Sequence, residues 1–202
     1  MKPAVVFAGR CDAVQHGAHE TALMVRDAGT ARPVHLIVNG APPETVRAAR
    51  RLLSRTAGRA VEVRPFTSGK QEQQETIRTA DVVLVTCRDE HVGLTALDAI
   101  VAEVPVLMPD TCGLGRFLLE SGRFDPAVTE HAVIRHADSA PLERWTAALT
   151  AVLADQDTAR RRASDLRAAL VAALRTLQSA GESAGDLVKA IIAVRDRRSG
   201  DA

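Results

Sequence analysis

The residues with the most chemical reach in this chain fall in a few short segments. Gly9-Arg10-Cys11-Asp12, continuing to His16-Gly17, follows an apolar run and precedes a helical pattern that begins near Ala18. A guanidinium presents a planar fork of donors to phosphate or carboxylate, and a helix N-terminus behind it adds N–H groups and a favourable dipole. A second segment is Cys87-Arg88-Asp89-Glu90-His91-Val92-Gly93, with Asp98 eight positions beyond Glu90. With Gly93 opening a helix, Glu90 lies just before it and Asp98 along its first turns. Two carboxylates so placed can accept hydrogen bonds from neighbouring sugar hydroxyls, or Asp89 and Glu90 simply complement the helix dipole.

A third grouping is Cys11, Cys87 and Cys112 with His16 and His91. Thiolate and imidazole are zinc ligands, so a metal or redox site competes with the reading of buried cysteines as small hydrophobes at strand ends. No close Cys-x-x-Cys pair supports the metal reading, and no metal is expected. A hydrolase has little footing, since no Gly-x-Ser-x-Gly elbow occurs and His91 near Cys87 lacks a placed third member. His35, inside an apolar run, reads as a core or sheet-face histidine.

These segments need a scaffold, and the hydrophobic pattern supplies one. Short apolar runs occur at Ala4 to Ala8, Pro33 to Val38, Ala60 to Val63, Asp81 to Thr86, Val104 to Met108 and His131 to Ile134. Amphipathic stretches near 18–28, 43–56, 70–79, 93–102 and 113–120 lie between them. That alternation predicts a parallel sheet wound with helices on both faces, an α/β Rossmann-like fold of about six strands. Right-handed crossovers then bring the loops after the strands to one edge, where ligands of open parallel sheets bind.

After Pro141 only helices are expected: Leu142 to Ala154, Asp157 to Ser179 and Glu182 to Arg195. In the second, Ala163, Leu166, Leu170, Leu174 and Leu177 form one core-facing stripe. Trp145 should anchor the first of them, and Arg160-Arg161-Arg162 with Asp165 and Arg167 should form a solvated face with local ion pairs. One Rossmann-like unit over 1–195 and a disordered tail over 196–202 are expected.

The chain has 202 residues, 26 Lys and Arg against 25 Asp and Glu, and a net charge of +1. So balanced a charge argues against nucleic acid as a principal partner. No run reaches the roughly 18 apolar residues of a spanning helix, and the first residues do not form a signal peptide, so a cytoplasmic protein is expected. The abundance of Arg and Ala and the absence of Tyr suit a GC-rich bacterial genome.

Residues 81–106, DVVLVTCRDEHVGLTALDAIVAEVPV, resemble the donor-site segment of group 1 glycosyltransferases of the GT-B type. In that family a strand leads to Pro-Ser, a Glu, Gly-Phe-Gly-Leu, a second Glu before Ala-Met-Ala, and a Gly-x-Pro-Val strand. Glu90 and Asp98 stand at the two acidic positions, with Gly93-Leu94 and Pro105-Val106 in place. Phe7-Ala8-Gly9-Arg10 resembles the family's opening Val-Gly-Arg turn, Val34 to Gly40 its second strand and glycine, and Gly113 its loop after the fifth strand. The resemblance runs over about residues 4–155 and is to the family's C-terminal, nucleotide-sugar-binding half.

The resemblance implies a donor site made of Gly9, Arg10, His16, Glu90, Val92, Gly93, Leu94, Thr95 and Asp98. Arg10 would contact the diphosphate, Glu90 the transferred sugar as the catalytic carboxylate, Asp98 the ribose, and the amides of Val92 to Thr95 the phosphates. The ligand implied is a UDP-, GDP- or ADP-sugar, with no cofactor. The reaction implied is retaining sugar transfer, which calls on an acceptor-binding domain or partner corresponding to the family's N-terminal half. The departures are specific: His16 replaces a Lys, Asp98 is a methylene shorter than Glu, His91 and Glu103 replace glycines, and Arg116 stands where Glu is frequent. They keep open a second reading, a non-catalytic module that senses a nucleotide or nucleotide-sugar within a larger regulatory assembly.

Overall fold

Along the first strand, Val5 and Phe7 project to one side and Val6 and Ala8 to the other, and all four are buried. A strand with two apolar faces needs helices on both, and that requirement shapes the molecule. The computed structural model describes residues 2–9, 17–29, 33–66, 70–86, 92–135 and 141–179. Six strands, β1 (Ala4–Ala8), β2 (His35–Ala41), β3 (Val61–Pro65), β4 (Val82–Leu84), β5 (Val106–Pro109) and β6 (Val133–Ile134), form one sheet. All pairs are parallel and the order is β3-β2-β1-β4-β5-β6. This is the α/β Rossmann-like fold expected from the alternation of runs.

On one face lie α1 (Ala18–Ala28), α2 (Val46–Ala57) and α7 (Pro141–Ala154), packed through Ala22, Val25, Leu53, Trp145 and Leu149 onto Val5, Phe7, Leu36 and Leu84. On the other lie α3 (Lys70–Arg78), α4 (Leu94–Val101), α5 (Gly113–Glu120) and α8 (Gln156–Ser179). They pack through Ile77, Ala99, Phe117 and Leu166 onto Val6, Val83, Val106 and Met108. Neighbouring residues of one strand therefore belong to different cores, and the short helix α6 (Pro126–Thr129) leads into β6.

Several boundaries differ from expectation. β2 begins at His35, two residues after Pro33, because proline has no N–H to donate to the ladder, and it runs on to Ala41. β4 closes at Leu84, and β5 begins only at Val106. The one-turn α6 carries a proline at its start and an Asp125 cap, signals too brief for a periodicity reading. The stripe on α8 is as expected: Ala163, Leu166, Leu170 and Leu177 are buried and Leu174 half-buried. The arginine face is exposed, but its ion pairs are not local. Arg160 reaches Asp81 at 3.1 Å and Arg167 reaches Glu103 at 2.9 Å, tying α8 to the loops before β4 and β5. The segments 182–195 and 196–202 lie outside the described residues.

Candidate functional site

The strand order reverses between β1 and β4: the chain leaves β1 outward through β2 and β3, then returns to pair β4 with β1 on its other side. Loops leaving such neighbours diverge and open a crevice at their carboxyl ends. Gly9 ends β1 on that edge, its amide bonded to the Asn39 carbonyl at 3.1 Å. The return into α1 is made by Gly17 at φ +80°, and a Cβ there would stand 2.2 Å from Thr86 Oγ1. Only glycine fits, in conformation and in space.

That glycine is clasped from its own helix and from the end of β4. Thr21 Oγ1 donates to the Gly17 carbonyl at 2.8 Å, Thr86 Oγ1 donates to the same oxygen at 3.0 Å, and the hydroxyls lie 3.1 Å apart. Both threonines are buried. The start of α1 is thereby fixed to the end of β4 by a polar knot in an otherwise apolar layer.

α4 opens in the same manner at Gly93, with φ +88°, beside the start of α5. A Cβ at 93 would meet Leu114 Cβ at 3.0 Å, and the Leu114 amide donates to the Val92 carbonyl at 2.9 Å. Leu94 is the first residue of the helix and exposed, Thr95 the second and buried. Asp98 stands one turn beyond Leu94 on the same side, half-buried. Several helices begin at this edge, and α1, α4 and α5, which follow the strands around the reversal, differ in their capping. Cys112 Sγ accepts from the Gly115 amide at 3.3 Å and caps α5, whereas no side chain caps α1 or α4. The first turns of α1 and α4, following the two strands at the reversal, thus present N–H groups without a side-chain cap at the same sheet edge, and such groups suit an anion.

The structure thus brings Gly9, Val92, Gly93, Leu94, Thr95 and Asp98 to one edge. Arg10, His16 and Glu90 lie outside the described residues, as do Cys11, Asp12, Cys87, Arg88, Asp89 and His91. Cys112 is buried and serves as a helix cap. Among the described residues no group of three His, Cys, Asp or Glu could hold a metal ion, and no described helix is long and apolar enough to cross a membrane. His35 is a sheet-face residue, its Nε2 3.1 Å from Glu62 Oε2.

Sequence reasoning missed Thr21 and Thr86. Their signal was a hydroxyl at a core-facing position, Thr21 on the apolar stripe of α1 and Thr86 at the end of an apolar run. It also missed Thr111, in the turn after β5, whose Oγ1 is buried without a hydrogen-bond partner.

Residues 1–183 match the model of a family described as Family 4 Glycosyltransferase in conflict systems. A search of the curated proteins found no match. Among solved structures, the catalytic domain of cholesterol-α-glucosyltransferase from Helicobacter pylori is similar with a TM-score of 0.64 at 15% identity, over 84% of this chain and 98% of that one. The C-terminal domain of a group 1 glycosyl transferase, LpcC, from Francisella tularensis has a TM-score of 0.64 at 14% identity, over 85% and 87% of the two chains. A mutant of S. aureus TarM, solved with fondaparinux, α-GlcNAc-glycerol and UDP, has a TM-score of 0.62 at 12% identity. There the match covers 84% of this chain and 32% of that one, so this chain spans about a third of that protein's length.

Proposed function

From the premise that the chain belongs to the family 4 glycosyltransferases of conflict systems, we propose that the crevice between β1 and β4 binds the diphosphate of a nucleotide-sugar. The observation that carries this reading is that two helices without side-chain caps, α1 at Gly17 and α4 at Gly93, both begin at the sheet edge beside the strands where the order reverses. A similar fold in TarM was solved with UDP.

The residues take the roles that the resemblance implies. Arg10 and the amides of Val92 to Thr95 bind the phosphates, His16 adds charge when protonated, Asp98 receives the ribose hydroxyls, and Glu90 faces the sugar. In transfer, the bond from the sugar's anomeric carbon to the diphosphate breaks and a bond to an acceptor oxygen forms, the acceptor's proton passing to the departing diphosphate. Fixed donors at the crevice stabilise the charge that develops on the leaving diphosphate. The acceptor comes from a further domain or a partner chain. A second reading, nucleotide sensing without transfer, is favoured by His16 at the position of the family's lysine.

Calorimetric titration with UDP, GDP and ADP and their sugar conjugates tests the proposal. One nucleotide series is expected to bind, and Arg10→Ala is expected to weaken it by at least tenfold, the worth of a charge-assisted contact of roughly 1.5–3 kcal/mol. Binding by none of the series sinks the proposal; unchanged affinity in Arg10→Ala removes that residue from the phosphate site.

A further inference from the structure

Between Glu44 and Glu62 the chain carries five arginines, Arg47, Arg50, Arg51, Arg55 and Arg59, and no acidic residue. The other 21 of its 26 Lys and Arg are outnumbered by 25 Asp and Glu, so a nearly neutral chain holds one strongly positive region. Four of the five arginines lie on α2. That helix turns Leu53 and Ala57 into the core, which points Arg47, Arg51 and Arg55 outward in a row, one turn apart.

All three are exposed, and among the described residues none of them forms an ion pair. Arginines elsewhere in the fold do find carboxylates: Arg26 has Asp27, Arg64 has Glu62, Arg160 has Asp81 and Arg167 has Glu103. The row also works against its own helix. Like charges one turn apart repel, and Arg47 adds a positive charge at the positive end of the helix dipole, where no acidic residue offsets it. Folding gives no reason for such a row, whereas an anionic surface outside the protein does.

The neighbours of the row narrow the partner. Ala48 is exposed beside it, and Leu52 is half exposed. Guanidiniums flanked by exposed apolar groups suit a lipid surface, with arginine at the phosphates and leucine at the acyl boundary. A nucleic acid would meet the charge but leave the leucine in water, and neither α2 nor its flanking turns hold an aromatic side chain to stack on a base. Because the remainder of the chain is net acidic, an anionic plane attracts this face and repels the rest, which sets one orientation.

We infer that the outward face of α2 docks the protein on an anionic lipid bilayer, with Arg47, Arg51 and Arg55 at the lipid phosphates and Leu52 at the acyl boundary. The contact is peripheral, since no described helix is long and apolar enough to span a membrane. The inference does not rest on the nucleotide-sugar reading, because α2 packs on β3 and α1 whereas the crevice begins at β1 and β4.

The full chain is sedimented with vesicles of equal parts phosphatidylglycerol and phosphatidylcholine and with vesicles of phosphatidylcholine alone, and poly(U) is added as a competitor. Binding to the anionic vesicles is expected to be at least about tenfold tighter than to the neutral ones, and to weaken as salt shortens the Debye length. The triple variant Arg47→Gln, Arg51→Gln, Arg55→Gln is expected to lose about tenfold or more, and Leu52→Ser about twofold or more at unchanged charge. Glutamine forms helices nearly as well as arginine, so α2 should persist, and thermal unfolding of each variant verifies it. The same charge removed at exposed positions elsewhere, in Arg123→Gln, Arg161→Gln, Arg175→Gln, is expected to cost less than about threefold. No preference for anionic vesicles overturns the inference. So does an equal loss in the two triple variants, which would reduce the binding to net charge, or undiminished binding by Leu52→Ser. Release from the vesicles by poly(U) overturns it as well, because the row would then belong to a nucleic acid.

Discussion

Glu103 shows how one side chain can be read twice. In the sequence it stands where the resembled family has glycine, and in the structure it is the one non-glycine residue with positive φ among those described, at 56°. A left-handed conformation costs an ordinary residue roughly 1–2 kcal/mol, and the pair with Arg167, half-exposed on both sides, returns at most about 1 kcal/mol. Glu103→Gly relieves the backbone but loses the pair and loosens the unfolded chain, so its stability should stay within about 1 kcal/mol of the parent. Glu103→Val keeps the strain, adds a branched Cβ and loses the pair, and should cost about 1–2 kcal/mol. Urea midpoints decide it; a valine variant as stable as the parent would refute the strain. The substitution was visible in the sequence, but its compensation was not, because Arg167 lies 64 residues away.

Helices and strands were legible to the extent that their signals were local. β1 (Ala4–Ala8), α1 and α5 have the expected bounds because an unbroken apolar run and full helical periods end at glycine or charge. β4 is shorter than its apolar run: Val85 is still buried and bonded to the Leu107 carbonyl at 2.9 Å, but Thr86 gives its hydroxyl to the Gly17 carbonyl instead of continuing the ladder. The helix starts at Gly17 and Gly93 could be anticipated from glycine before a periodic segment, whereas the threonine clasp joins residues 65 positions apart. Close approach between elements was equally invisible. At Gly115 a Cβ would lie 2.3 Å from the Pro109 carbonyl oxygen, because α5 starts hard against the end of β5. Alanine normally gains about 1 kcal/mol over glycine inside a helix, yet Gly115→Ala should lose about 2 kcal/mol or more because backbone must move. Gly58→Ala meets open space at φ +63° and should lose only about 1 kcal/mol. Equal losses in thermal unfolding would mean that crowding at Gly115 does not matter.

Taken whole, the molecule was legible as a two-faced sheet because its core strands are apolar on both sides, and the reversal between β1 and β4 places the crevice. The setting of His131 was not legible. This residue sits in what reads as a strand's apolar start, and its surroundings come from α7 and α8, remote in sequence. It ties global stability to pH. Its pKa in the fold is below 6.5, so the unfolded chain takes up the proton first. The stability held above pH 6.5 should therefore fall as pH drops below that value toward the folded pKa. Chemical denaturation from neutral pH to about pH 5 should show a shallower loss in His131→Gln than in the parent. An identical slope in the two would show that another group carries it.

The clasp of Gly17 by Thr21 and Thr86 also sets an order in time. Its partners come from α1 and from the residues after β4, so the start of α1 cannot take its final form until the chain has passed through β2 and β3 and returned to lay β4 beside β1. Closing so long a loop is the slow kind of folding event. The clasp is thus a latecomer, closed only after the sheet has joined its two halves, and a nascent chain that has not yet emitted Thr86 leaves the start of α1 untied.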